Sequence, residues 1–304
     1  MHNLQFCFDE FLKKLKDIEN YIESIDLQKK IIRELSSISQ EDNLELNNSF
    51  QYIEKIKKVI VSPVQYNALI ISLYGCYENY IDNIFKKYIE ILCASVSSYD
   101  KLPAKLKEKH IKKLGDYLIN PQRYKNYELT PELAIKNGYG FTSDIEEINL
   151  GNLKLMLSHG GNLGIDQIIE LMRDVGIDNA SQKICNNVLF RKFHFENREL
   201  SESIYKRWAA HEYKKLFTTL DDFVQERNNV AHGWVENRTQ YSEVKNVLIN
   251  FLKIFSEVIK EILIEELLSL RFLSGGMVKW DSPQKIIDNH ILCVNCETNE
   301  VHIG

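Results

Sequence analysis

Leu4, Phe8, Phe11, Leu15, Ile18, Ile22 and Ile25 alternate spacings of four and three, and Ile32 and Leu35 prolong the series. An apolar stripe of that period and length is buried only by a long helix lying along a comparably long partner. A charged, Asn-rich turn over 39–48 follows, and Phe50, Ile53, Ile56 and Ile60 restart the stripe as a second helix, expected antiparallel to the first. Ser62-Pro63 then reads as stop and restart, because proline is tolerated in the first turn of a helix. The helix it opens runs to about Ser95, with Leu69, Leu73, Tyr77, Ile81, Ile84, Tyr88 and Ile91 on one side.

Composition agrees with these runs. The chain has 13 Gly and 5 Pro against 44% hydrophobic residues. That is too few turn residues for a β-sandwich and too much apolar side chain for disorder. The reading is therefore mainly α, a helical bundle. We expect an N-terminal helical hairpin over 1–62, a bundle over 63–273 and an appendage over 274–304. Within the bundle, 100–200 is an insert of short helices and loops, punctuated by Asn120-Pro121, Thr130-Pro131 and Asn137-Gly138. Long helices return over 202–232 and 240–271. Val244, Leu248, Phe251, Phe255, Val258 and Ile262, with Val247, Ile254 and Leu263, form a wide buried stripe on the second. The tail is rich in β-branched residues and predicts a small C-terminal β-hairpin.

The first residues carry Asp9, Glu10, Lys13 and Lys14 where a secretory core is expected to be apolar, and the longest uncharged stretch, Val59–Tyr77, holds Ser62, Pro63, Gln65 and Asn67. A buried helix fits it better than a membrane span. Six scattered cysteines look like reduced thiols, so the expected location is cytoplasmic with no membrane partner. The formal charge of −5 gives no global nucleic-acid footprint, so any such contact rests on local patches.

Chemistry concentrates in Phe223-Val224-Gln225-Glu226-Arg227-Asn228-Asn229-Val230-Ala231-His232-Gly233. Gly233 is a natural C′ residue, which places His232 in the last turn, where the helix's negative end favours a cationic ring. At about 100° per residue, Asn228 and His232 share a face while Arg227 stands about 140° round from His232. One copy does not aim both groups at one point. Two copies across a twofold axis make a composite cleft, so the expected assembly is a homodimer.

The R-x4-H spacing of RNNVAH resembles the signature of HEPN proteins, and RNNVAHG looks like the single-domain prokaryotic group of toxin–antitoxin and anti-phage systems. The helix ALIISLYGCYENYIDNIFKKYI, centred on Glu78, is similar too, as is a β-hairpin tail. The resemblance spans about Pro63 to the C-terminus. It implies a helical bundle, dimerisation and metal-independent RNA cleavage, in which a ribose 2′-OH attacks the adjacent phosphate and leaves a 2′,3′-cyclic phosphate. By position, His232 is the general acid or base and Arg227 stabilises phosphate charge. Asn228 orients His232 or binds phosphate, and Glu78 holds Arg227. An antitoxin or other regulatory partner protein is implied as well. Some HEPN toxins carry a modifiable Tyr two residues after the His; here that position is Trp234.

An RNA enzyme also needs basic surface. The stretch Lys101–Lys113 carries a local +5, with Lys105, Lys109, Lys112 and Lys113 the expected phosphate contacts. The stretch Lys183–Lys215 carries a local +4 and adds Arg207 and Lys214. In the tail, His290, Cys293, Cys296 and His302 do not make a metal site on this reading, since Cys293 and Cys296 fall on opposite faces of a strand. No cofactor is expected. The competing reading is a non-catalytic helical module that binds a nucleotide, RNA or protein through the same surface.

Overall fold

The computed structural model describes residues 2–36, 63–96, 98–122, 162–197, 200–233 and 241–273, with short pieces at 51–52, 55–56, 58–59, 130–132, 134–135 and 156–157. The chain divides into a unit Met1–Leu268 and a unit Ser269–Gly304. Regular structure among the described residues is helical. We number the helices α1 (His2–Ser36), α2 (Pro63–Ser95), α3 (Ala104–Ile119), α4 (Ile165–Asp174), α5 (Ala180–Asn186), α6 (Val188–Asn197), α7 (Glu202–His211), α8 (Thr218–Ala231) and α9 (Asn250–Leu273). The expected β-hairpin and the His290–His302 cluster lie outside the described residues, as does Trp234.

The period-of-seven stripe of α1 is buried. Leu4, Phe8, Phe11, Leu15, Ile22 and Ile25 all face inward. Their described partner is α2; of the 50–60 segment only 51–52, 55–56 and 58–59 are described, and these are helical. Phe11 stacks on Tyr80 of α2 at 4.6 Å between ring centroids, and Phe8 meets the same ring edge-on at 6.3 Å. A second long partner is α9. Lys253 donates to Glu19 at 2.5 Å and Lys245 to Glu23 at 2.9 Å, while Lys260 reaches Gln5 at 3.0 Å. The order of these pairs makes α1 antiparallel to α9. Tyr80 ties α2 to α9, donating its hydroxyl to the Ser256 carbonyl at 2.7 Å.

Two expected helices differ in detail. The 202–232 run breaks into α7, a 3-10 segment Tyr213–Phe217, and α8. The break turns Leu216 and Phe217 fully inward, where Phe217 stacks on Phe190 of α6 at 4.9 Å and packs against Phe255 at 5.9 Å. The 240–271 run contains a π-helical turn, Val244–Ile249, before α9. One extra residue in the turn shifts register, which leaves Val247 at 43% exposure while Val244 and Leu248 are buried. No described helix is long and apolar enough to cross a membrane.

Candidate functional site

Helix α8 carries the Arg227–His232 motif, and three contacts fix it on α2. Phe223 packs on Tyr74 at 5.8 Å, and the Arg227 guanidinium lies over the same Tyr74 ring at 4.7 Å. These two residues are four apart on α8, so they stack one above the other on a single tyrosine. Tyr66 donates its hydroxyl to Glu226 at 2.7 Å, which ties that carboxylate to α2.

Arg227 is half-buried, and its Nη1 donates to Asn162 Oδ1 at 3.1 Å and to Asn228 Oδ1 at 3.2 Å. Both acceptors are neutral. Among the described residues no carboxylate lies within ion-pair distance of this guanidinium. A cation over an aromatic face with amide partners keeps its full charge, since neither the ring quadrupole nor an amide dipole cancels it. The expected holder, Glu78, makes no ion pair with Arg227 among the described residues; it sits one turn along α2 from Tyr74. Asn228 gives its side-chain oxygen to Arg227, not to His232.

Asn162 enters from a short segment that leads into α4, and that segment is clamped on both sides. The buried Leu163 N–H donates to Tyr74 Oη at 2.9 Å, and Tyr77 donates to the Leu163 carbonyl at 3.2 Å. Burial pushes the Tyr77 hydroxyl well above the ordinary phenol range, and Tyr74 rises for the same reason, opposed by its Leu163 bond and by Arg227. Helix α4 begins with the Ile165 N–H on Asp221 Oδ1 at 3.3 Å, so α8 supplies the cap that Gly164 lacks. A Cβ on Gly164 would sit 3.1 Å from that oxygen. Desolvation holds the Asp221 carboxyl above its ordinary value, with the Ile165 bond pulling the other way.

His232 caps the C-terminus of α8, its N–H on the Asn228 carbonyl at 3.0 Å, and Gly233 follows with φ +74°, as a C′ glycine should. Its ring is exposed. Five residues of helix separate it from Arg227 by about 7.5 Å of rise and about 140° of rotation.

The basic residues divide. Lys105 pairs with Glu108 at 2.8 Å, Lys109 with Asp174 at 2.6 Å, and Lys214 with Asp166 at 2.6 Å. Lys112 and Arg207 are exposed and make no ion pair among the described residues, and Lys113 is half-buried. Also among the described residues, no group of three or more His, Cys, Asp or Glu is placed to hold a metal ion. Sequence reasoning missed Asn162 and Tyr74. Tyr74 is within reach of a periodicity argument, because it lies on the buried side of α2; Asn162 carries no local signal at all.

A bundle whose described regular structure is helical, with an arginine that has no ion pair among the described residues and a helix-terminal histidine on the same helix, defines the class. The family model described as RiboL-PSP-HEPN matches residues 29–265, and the chain belongs to that family. The match begins inside α1 and ends inside α9, so it takes in part of the N-terminal helix and leaves out the tail. No curated protein and no solved structure matches the chain.

Proposed function

We propose that the chain is a metal-independent endoribonuclease of toxin–antitoxin or anti-phage defence type, working in the cytoplasm on RNA. Membership of a HEPN family supports an RNA-related role. The observation that carries the finer reading is the Arg227 guanidinium, half-buried, stacked on Tyr74 and, among the described residues, bonded only to neutral amides. Such a group is already desolvated and oriented, yet its charge is unspent, which suits it to an oxyanion that gains charge during reaction.

The ribose 2′-OH attacks the adjacent phosphorus, the bond to the 5′-oxygen breaks, and a 2′,3′-cyclic phosphate remains. One proton leaves the 2′-OH and one reaches the departing 5′-oxygen. His232, exposed at the end of α8, is the group proposed to move one of them. Arg227 steadies the equatorial phosphate oxygens, and Asn228 keeps it turned toward them. Because His232 and Arg227 diverge around α8, the complete site is proposed to form in a homodimer, where two α8 helices face each other. Lys112 and Arg207 are the proposed backbone contacts, with Lys105, Lys109, Lys113 and Lys214 as weaker contributors. An antitoxin or regulatory protein is the expected partner.

Induced expression tests the reading. Growth should arrest with the wild-type chain and continue with Arg227→Ala or His232→Ala at equal protein level. Arrest that survives both substitutions would remove this site from the mechanism.

A further inference from the structure

Arg227 is gripped by a residue 65 positions upstream, and the grip is built rather than incidental. A guanidinium has five N–H donors and no acceptor, so the amide facing it must turn Oδ1 inward and its NH2 outward. The backbone around Asn162 cannot drift. Leu163 is held through its N–H by Tyr74 and through its carbonyl by Tyr77, the Gly164 N–H closes on the Asn162 carbonyl at 2.8 Å, and Asp221 caps the next residue. Tyr74 therefore does two jobs at once. Its ring supports Arg227 from below, and its hydroxyl fixes the segment that grips Arg227 from the side.

We propose that Asn162 is a positioning residue for Arg227: it sets the aim of the guanidinium and leaves its charge uncancelled. The proposal rests on the ribonuclease reading and deepens it. With Asn162 Oδ1 and Asn228 Oδ1 both engaged by Nη1, what these three polar side chains have left to offer a ligand is N–H: the remaining guanidinium donors and two amide NH2 groups. A donor-only lining selects a ligand that only accepts, which is the chemistry of a phosphodiester. An aspartate in place of Asn162 would keep the shape and the accepting oxygen. It would also put a negative charge about 3 Å from the guanidinium and remove one NH2, which is why an amide and not a carboxylate belongs there.

The test is a double-mutant cycle on the full-length chain. Cleavage of an RNA oligonucleotide is followed for wild type, Asn162→Ala, Asn162→Asp, Arg227→Ala and the Asn162→Ala/Arg227→Ala pair. Binding of the matching oligonucleotide with 2′-deoxyribose at the cut site is measured in parallel by fluorescence anisotropy. Asn162→Ala should lower kcat about ten-fold with KM within about two-fold. Asn162→Asp should lose more than Asn162→Ala in both cleavage and binding, although its thermal midpoint stays close to that of wild type. The double variant should be no worse than Arg227→Ala alone, because Asn162 acts only through the arginine. The inference is overturned if Arg227→Ala abolishes cleavage while both Asn162 variants keep wild-type rates, or if the two alanine effects multiply. A wild-type chain that neither cleaves nor binds overturns the ribonuclease reading itself, and this inference with it.

Discussion

Replacing Tyr74 by Phe separates the two jobs of that residue. The ring stays beneath Arg227 and against Phe223, but the hydroxyl that accepts the Leu163 N–H at 2.9 Å disappears. Leu163 is fully buried and Tyr74 nearly so. An orphaned buried N–H costs about 1–3 kcal/mol. In a domain of this size class each kcal/mol lowers the thermal midpoint by roughly 2–4 °C. The expected fall is therefore several degrees, read by calorimetry or by circular dichroism at 222 nm (the α-helix band). Tyr80→Phe is the internal control. Its hydroxyl donates to the Ser256 carbonyl, which lies inside α9 and keeps its helical partner, so nothing is orphaned. Tyr74→Phe should be clearly the more destabilising of the two. It should also slow RNA cleavage, since the Asn162 segment loses one of its two clamps. Equal midpoints for the two variants would refute the view that Tyr74 holds the segment through Leu163.

Gly233→Ala should destabilise the end of α8 by about 1 kcal/mol, because φ is +74° although no atom lies in the way of a Cβ; a midpoint unchanged in denaturant titration would contradict this. Asp221→Asn keeps an oxygen for the Ile165 N–H and removes a desolvated charge. A carboxyl raised above its ordinary 3.8 in the folded state binds protons more tightly when folded, so its charge lowers stability as pH climbs past that value. The variant should match or exceed wild type at pH 7 in urea unfolding, with the difference closing near the bottom of that window. Lys112→Ala should weaken RNA binding and reduce the salt slope by about one, whereas Lys105→Ala, already paired with Glu108, should change both much less. Equal effects from the two lysines would show that the pairing does not matter for RNA contact.

Much of the scaffold was legible because it is local. The stripes of α1 and α2 repeat every three or four residues, and Leu69, Leu73, Tyr77, Ile81, Ile84 and Tyr88 are all buried where that period puts them. Pro63 opens α2 and Gly233 closes α8 for backbone reasons that need no tertiary contact. What periodicity could not show is where distant packing overrides it. Phe217 is pulled into the aromatic cluster of Phe190 and Phe255, and the expected single helix over 202–232 gives way there. The π-helical turn at Val244–Ile249 likewise interrupts the helix expected over 240–271. At the site, Arg227, Asn228 and His232 were readable from their spacing and from the family resemblance. Their surroundings were not. Asn162 reaches Arg227 only because Tyr74 and Tyr77 pin Leu163, a long-range arrangement that leaves no mark in the sequence around it. Nor does a run of lysines reveal which of them are already spent on Glu108, Asp174 or Asp166.

The most direct test of the central claim is the end chemistry of cleaved RNA in the presence of EDTA. Purified wild-type protein is incubated with a labelled RNA oligonucleotide, and the products are resolved by mass spectrometry. In the proposed mechanism Arg227 and His232 supply the charge and the proton, and the 2′-OH supplies the nucleophile, so cleavage should persist and the upstream fragment should end in a 2′,3′-cyclic phosphate. A 2′-deoxy substitution at the cut site should block it, and Arg227→Ala and His232→Ala should each slow it about a hundred-fold or more. Cleavage that requires added divalent metal, that cuts the 2′-deoxy substrate, or that keeps its wild-type rate under both substitutions would contradict the assignment.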